Sequence, residues 1–304
     1  VQPEPFFSEL RMRCAIAEPE AALSSVACWY WELSQVPSTW MTAAGQVDEV
    51  WAATDFVAQS MREVLEVPVI KIFPGVAVGT FHARSKPYFG LAEDDFTFLF
   101  IFSFSSQMER KNPLGLIQAF RATFGMDERV NLVIKTSAIN GYEREHAALI
   151  EASKGSNIII ISENMSDSDV RALMAVCDSY VSLHRSEGLG LTLAEALLMG
   201  KPVIGTNYSG NTEFMNEQNS LLVPYELVEL TEQHGPYAKG QFWADPCLKT
   251  AGRHMRLLFD DRAFAADLGK RAQALSEEPL SVQRAGQLMR ARLRDIELSL
   301  SRLN

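Results

Sequence analysis

From Phe96 onward, short apolar runs recur every 20–35 residues, with amphipathic segments between them, and few folds accommodate that rhythm. The runs are 96–102, 130–135, 157–162, 179–183, 201–205 and 220–224. The intervening segments Pro113–Phe124, Glu143–Ser153, Ser166–Val176 and Leu191–Met199 read as helices. Continuous apolar strands alternating with helices predict an α/β unit whose parallel sheet is covered on both faces. Ser166, with Asp169 three residues on, predicts a capped helix start, and Pro113 suits a first-turn position. Residues 1–80 read as a shorter α/β unit. Its elements are a helix over Phe6–Ala17, strands ending near Trp31 and over Val47–Ala53 and Val67–Phe73, and a helix over Asp55–Leu65. Three strands are thin for a free-standing domain, so this unit is expected to be incomplete. Breakers concentrate in 73–95, which places the boundary near residue 80. The tail from Leu248 reads as two or three helices, the last over Val282–Arg302.

A length of 304 residues exceeds what one core ordinarily fills, in agreement with two units. The net charge of −10 argues against a surface built for nucleic acid or an anionic membrane, while leaving room for a few local cations to bind an anion. No apolar run approaches the length of a membrane span, and no secretory signal is present. The chain begins Val-Gln-Pro, without an initiator Met, so a stretch at the front is expected to be missing. Cys14, Cys28, Cys177 and Cys247 show no metal-ligand spacing and read as buried free thiols of a reducing compartment.

The chemistry concentrates in His184–Ala196, directly between a strand and a helix. Ligands of open parallel sheets bind outside the carboxyl ends of strands. Gly188 and Gly190 permit close backbone approach, and the helix start presents free N–H groups to a diphosphate. Glu187 precedes the helix and Glu195 lies within it, eight residues on. Two carboxylates beside a phosphate site make sense when one accepts the hydroxyls of a sugar and the other those of a ribose. No G-x-G-x-x-G follows a first strand, which excludes a dinucleotide-binding Rossmann enzyme.

This Glu-x7-Glu pattern resembles the donor-site motif of the family 4 (group 1) glycosyltransferases, retaining enzymes of the GT-B fold. The resemblance continues through Lys201–Ile204, Tyr208–Asn211, Asn219–Pro224 and a hinge-like Phe73–Val76, and covers roughly residues 25–275. Within the family it lies nearest bacterial enzymes of surface-polysaccharide synthesis. It implies two Rossmann-like domains facing a cleft: an incomplete acceptor-side domain (1–80), a donor domain (81–280), and a C-terminal helix (281–304) crossing back to the first. Glu187 would then contact the donor sugar and Glu195 the ribose, with Gly188, Leu189 and Gly190 lining the donor. Lys111 matches the family's lysine beside the diphosphate. Where many members have Gly-Arg directly after the strand, this chain has Ser103-Phe104-Ser105, and Arg110 is expected to take the arginine's part.

Further assignments rest on position at strand ends. Lys135 holds phosphate or base, or else snorkels to the surface. Ser162 and Glu163 fall where the family cradles the base. Ser209, Gly210 and Asn211 form a turn that either donates N–H groups to the donor or merely reverses the chain, and His184 either joins the donor loop or is structural. Many relatives carry a histidine in the first domain; this chain has none before His82. Glu32, beside the aromatic cluster Trp29-Tyr30-Trp31, is the candidate to replace it as acceptor base or sugar-orienting group.

The resemblance therefore implies a metal-independent retaining glycosyltransferase that moves a hexose from a GDP- or UDP-linked donor to a glycan or lipid-linked glycan. The nucleotide-sugar is a co-substrate, and no cofactor or metal is called for. A nucleotide-sugar epimerase and a non-catalytic nucleotide-sugar-binding subunit are the alternatives. The implied location is the cytoplasm, at most with peripheral contact at the inner face of the membrane.

Overall fold

The computed structural model describes residues 24–301. The helix expected over Phe6–Ala17, together with Cys14, lies outside them. The first unit is a three-stranded parallel sheet in the order β1 (Val26–Trp29), β2 (Glu49–Ala52), β3 (Val69–Lys71). Its principal helix, Asp55–Arg62, begins at Thr54, whose hydroxyl accepts the Val57 N–H. Val57, Ala58 and Met61 on that helix are fully buried against the sheet.

The second unit is a six-stranded sheet in the order β6-β5-β4-β7-β8-β9, parallel throughout. These strands are β4 (Phe96–Ser103), β5 (Val130–Ser137), β6 (Ile158–Ile161), β7 (Ser179–Ser182), β8 (Val203–Thr206) and β9 (Leu221–Val223). Each of the six expected runs becomes one of them, within two residues at either end. β4 is buried on both faces, with Phe96, Phe98, Phe100 and Phe102 packed in the core, which is why it reads as an unbroken apolar run. The Ser166 hydroxyl accepts the Asp169 N–H, as its spacing predicted, and Pro113 opens its helix behind an Asn112 cap. The chain runs from β4 outward through β5 to β6, then returns to the other side of β4 as β7. That reversal creates a crevice at the carboxyl ends of β4 and β7.

A hairpin unanticipated from sequence follows β9: β10 (Tyr225–Glu229) pairs antiparallel with β11 (Phe242–Pro246). Although it emerges from the second unit, its Leu230, Tyr237 and Trp243 pack with Trp29, Trp31 and Trp40 in the core of the first. The tail forms three helices, Leu248–Asp260, Arg262–Ser276 and Val282–Leu300. The last reaches back to the first unit, where the Arg292 guanidinium binds the buried Glu49 carboxylate. The segment between the units is anchored by Lys86, which donates to Asp178 and to the Asp95 carbonyl, each at 2.7 Å.

The cysteine expectation needs correction. Of the three described, Cys177 is buried, but Cys28 and Cys247 are exposed. Cys28 lies on the exposed position of β1, and Cys247 stands at the N-cap of the helix Leu248–Asp260.

Candidate functional site

Two loops leave the crevice and are tied to each other. β4 ends in a tight turn, Phe104–Ser106, and a single-turn helix, Met108–Lys111, held between left-handed Gln107 and Asn112. The β7 loop runs from Leu183 to Gly190. The Arg185 N–H donates to the Arg110 carbonyl at 2.7 Å, and Asn112 Nδ2 donates to the Leu183 carbonyl at 2.9 Å. Strand order thus brings Arg110 and Lys111 against a loop more than 70 residues away.

At the junction lies a buried cluster of charges. Arg110 Nη1 donates to the Ser186 carbonyl at 2.7 Å and stands 3.2 Å from Glu187 Oε2, while Lys111 Nζ grips Glu187 Oε1. Burial would push the Glu187 carboxyl up, but the adjacent Lys111 and Arg110 overcome it and hold the group ionised, at about 2. For Arg110 burial is likewise outweighed, by Glu187, Tyr237 and Glu32, and its pKa is raised. Lys111 is lowered, because burial and the neighbouring Arg110 exceed the pull of Glu187. Two cations sharing one anion leave a concentrated positive site in a low-dielectric setting.

The glycines explain how close this packing is. A Cβ at Gly188 would stand 2.8 Å from the Trp31 carbonyl oxygen, and one at Gly210 would run into the Gly188 carbonyl. Gly190 is left-handed (φ 86°) and caps the helix Leu191–Leu198. Behind the loop, the Ser209 hydroxyl accepts the Glu187 N–H at 2.7 Å and the Gly210 N–H donates to the Glu187 carbonyl at 2.8 Å. From the first unit, the Thr54 hydroxyl donates to the Gly188 carbonyl at 3.0 Å.

Between the two units lies a cleft of about 650 Å³. It brings together Glu32, Arg110, Lys111 and the loop Glu187–Gly190 from the sequence candidates, along with Tyr30, Ser103, Ser137 and Thr192, which were not singled out for it. Glu32, from the first unit, is half-buried, its charge reaches Arg110 and Lys111, and its Oε2 accepts from the Tyr237 hydroxyl at 3.0 Å.

The remaining candidates are not brought to the cleft. His184 is fully buried, with Nδ1 bonded to the Ser182 hydroxyl at 3.0 Å and Nε2 to Asn211 Oδ1 at 2.9 Å. Both ring nitrogens and the Asn211 side chain are spent on the loop's underside. Burial lowers the His184 pKa and keeps the ring neutral. Ser209 and Gly210 brace Glu187 from behind. Lys135 is buried, with Nζ on the Thr136 carbonyl, and Ser162 is hydrogen-bonded to His146. Glu163 is exposed beyond β6. Glu195 is half-buried one turn into its helix, where burial raises its carboxyl against the pull of Arg171.

Residues 84–233 match the family described as glycosyl transferases group 1. Three solved structures share the architecture. HepE of Anabaena, in complex with UDP and glucose, superposes with a TM-score of 0.69 at 16% identity, over 89% of this chain and 71% of that one. Sucrose-phosphate synthase of Thermosynechococcus elongatus gives 0.71 at 15%, over 96% of this chain and 71% of that one. The pneumococcal O-GlcNAc transferase GtfA, in complex with UDP and GlcNAc, gives 0.58 at 15%, over 89% and 52%. The fold is thus that of the GT-B glycosyltransferases, and its crevice, from the β4 loop through the β7 loop, lies inside the segment that matches the group 1 glycosyl transferases.

Proposed function

We propose that the chain is a retaining hexosyltransferase that binds a UDP- or GDP-linked sugar in this cleft and passes the hexose to a glycan or lipid-linked glycan. One observation carries the reading: Arg110, Lys111 and Glu187 converge with the glycine turn Gly188–Gly190 at the reversal point of a parallel sheet, in a cleft that Glu32 also lines. A departing diphosphate gains charge as the glycosidic bond breaks, and fixed buried cations stabilise that charge more than the ground state. In the proposed step, the bond from the anomeric carbon to the diphosphate oxygen breaks and its electron pair leaves with the diphosphate. The acceptor oxygen bonds to the anomeric carbon from the same face, and its proton passes to the departing oxygen. Arg110, Lys111 and the N–H groups opening the helix Leu191–Leu198 meet the phosphate charge without a metal. Glu187 accepts hydroxyls of the donor hexose, and Glu195 is assigned to the ribose. No helix among the described residues is long and apolar enough to cross a membrane.

The test is a thermal-shift panel of UDP, GDP, ADP and TDP, alone and as hexose conjugates. A ligand that binds only the folded chain raises Tm by mass action, so one nucleotide should stand out by several degrees, as about 2.7 kcal/mol accrues at a hundredfold excess over Kd. No shift from any of them would sink the donor-site reading.

A further inference from the structure

Outside the assigned residues, one buried side chain touches both walls of the cleft. Tyr237, carried on the loop of the β10–β11 hairpin, is 3% exposed. Its ring packs on Trp31 with centroids 5.4 Å apart, and the Arg110 guanidinium carbon lies 5.9 Å from its centroid. Its hydroxyl donates to Glu32 Oε2, across 205 residues of sequence. The second carboxylate oxygen of Glu32 has no hydrogen-bond partner among the described residues, although the side chain lines the cleft. The Glu32 backbone is pinned as well, since its carbonyl accepts from the Ser186 hydroxyl.

We infer that Tyr237 is the positioning residue of the acceptor site: it locks one oxygen of Glu32 so that the other presents a fixed hydrogen-bond acceptor to a hydroxyl of the incoming acceptor. The inference rests on the transferase reading of the cleft. A free glutamate samples many rotamers, and each one held off-target costs transfer more than it costs binding of the donor. Burial keeps the phenol protonated, against the opposing charge of Arg110, so it serves as a donor throughout the working range. Glu32 gains no proton in the step. It accepts a hydrogen bond from a hydroxyl beside the attacking one, or from the second O–H when water attacks, while the reacting proton leaves on the diphosphate. The ring of Tyr237 also covers the buried guanidinium of Arg110 in cation–π contact, so the same residue ties the acceptor wall to the phosphate wall.

The experiment uses the full chain, Tyr237→Phe, Glu32→Gln and the double variant. Two quantities are read: the Kd of the nucleoside diphosphate, UDP or GDP, and its rate of release from the matching nucleotide-hexose with water as acceptor. Tyr237→Phe should slow release about tenfold and leave Kd within about twofold, and in the Glu32→Gln background its effect should shrink below about twofold. An unchanged rate, a parallel loss of diphosphate affinity, or the same tenfold loss without Glu32 would overturn the positioning role while leaving the site reading intact. A wild-type chain that binds neither nucleotide, or releases none from the conjugate, would remove the site reading and this inference with it.

Discussion

Glu187 has 11% of its side chain exposed and lies between Lys111 and Arg110, so its charge matters to the resting protein before any ligand arrives. Removing one partner of a buried ion pair is costly, because the others keep an unpaid desolvation penalty. Glu187→Gln should therefore lower the stability of the free chain by about 3 kcal/mol, read as a shift in the urea midpoint at constant m. In the proposed step, the two cations it releases are the ones that meet the diphosphate. The same variant should bind UDP or GDP at least as tightly as wild type while losing sugar transfer; weaker diphosphate binding would contradict the assignment. The pH dependence has a definite sign. The folded carboxyl titrates at about 2, below its ordinary value near ~4.3, so the unfolded chain takes up the proton first. Its contribution is complete above about pH 5 and is lost as pH falls towards 2. Glu187→Gln should flatten that acid limb without abolishing it, since Glu128, held low by Arg256, titrates in the same window. At this scale the sequence pointed to Arg110, Lys111, Glu187 and the glycines, which follow β4 and β7 in loops that the sheet order brings to one cleft. His184 and Asn211 have the same address, yet they turn beneath the loop and satisfy one another, and nothing in the sequence records that choice.

The β10–β11 hairpin belongs by sequence to the second unit and by packing to the core of the first. Trp243 is 5% exposed there, and truncating a buried Trp costs about 3–5 kcal/mol through lost burial and the cavity left behind. We expect Trp243→Ala to reduce amide-exchange protection in β1–β3 well before it does so in β4–β8, although the substitution is nearly 200 residues from β2. Uniform loss across both sheets would show instead that the hairpin stabilises the second unit. The contrast explains what could be read in advance. β4, β5, β7 and β8 are buried on both faces, so burial is written into those runs as nearly unbroken hydrophobicity. β10 has one half-buried residue among five, and its partner strand is separated by the stretch 230–241, in which the two-residue turn Gly235-Pro236 joins only the short His234–Tyr237 bridge and stands apart from both strands. Its buried contacts lie with residues 29–40, and a local pattern carries no trace of so distant a partner. The link between Tyr237 and Glu32 was invisible for the same reason.

Taken whole, the molecule is a net anion that uses a small cationic site. A net charge of −10 repels any anion at long range, whereas Arg110 and Lys111 have only 4% and 16% of their side chains exposed. Buried charges are little affected by salt, but exposed charges are screened beyond a Debye length, which falls from about 30 Å at 0.01 M to about 10 Å at 0.1 M. Salt should therefore remove the repulsion without weakening the grip. Followed by stopped-flow tryptophan fluorescence, the association rate of the nucleoside diphosphate should rise by about twofold between 0.01 and 0.2 M NaCl, and its dissociation rate should stay constant. An association rate that falls severalfold over that range would mean that the positive potential reaches out of the cleft and steers the ligand. In that case the two cations would act as a long-range attractor and not, as proposed, chiefly at contact with the departing diphosphate.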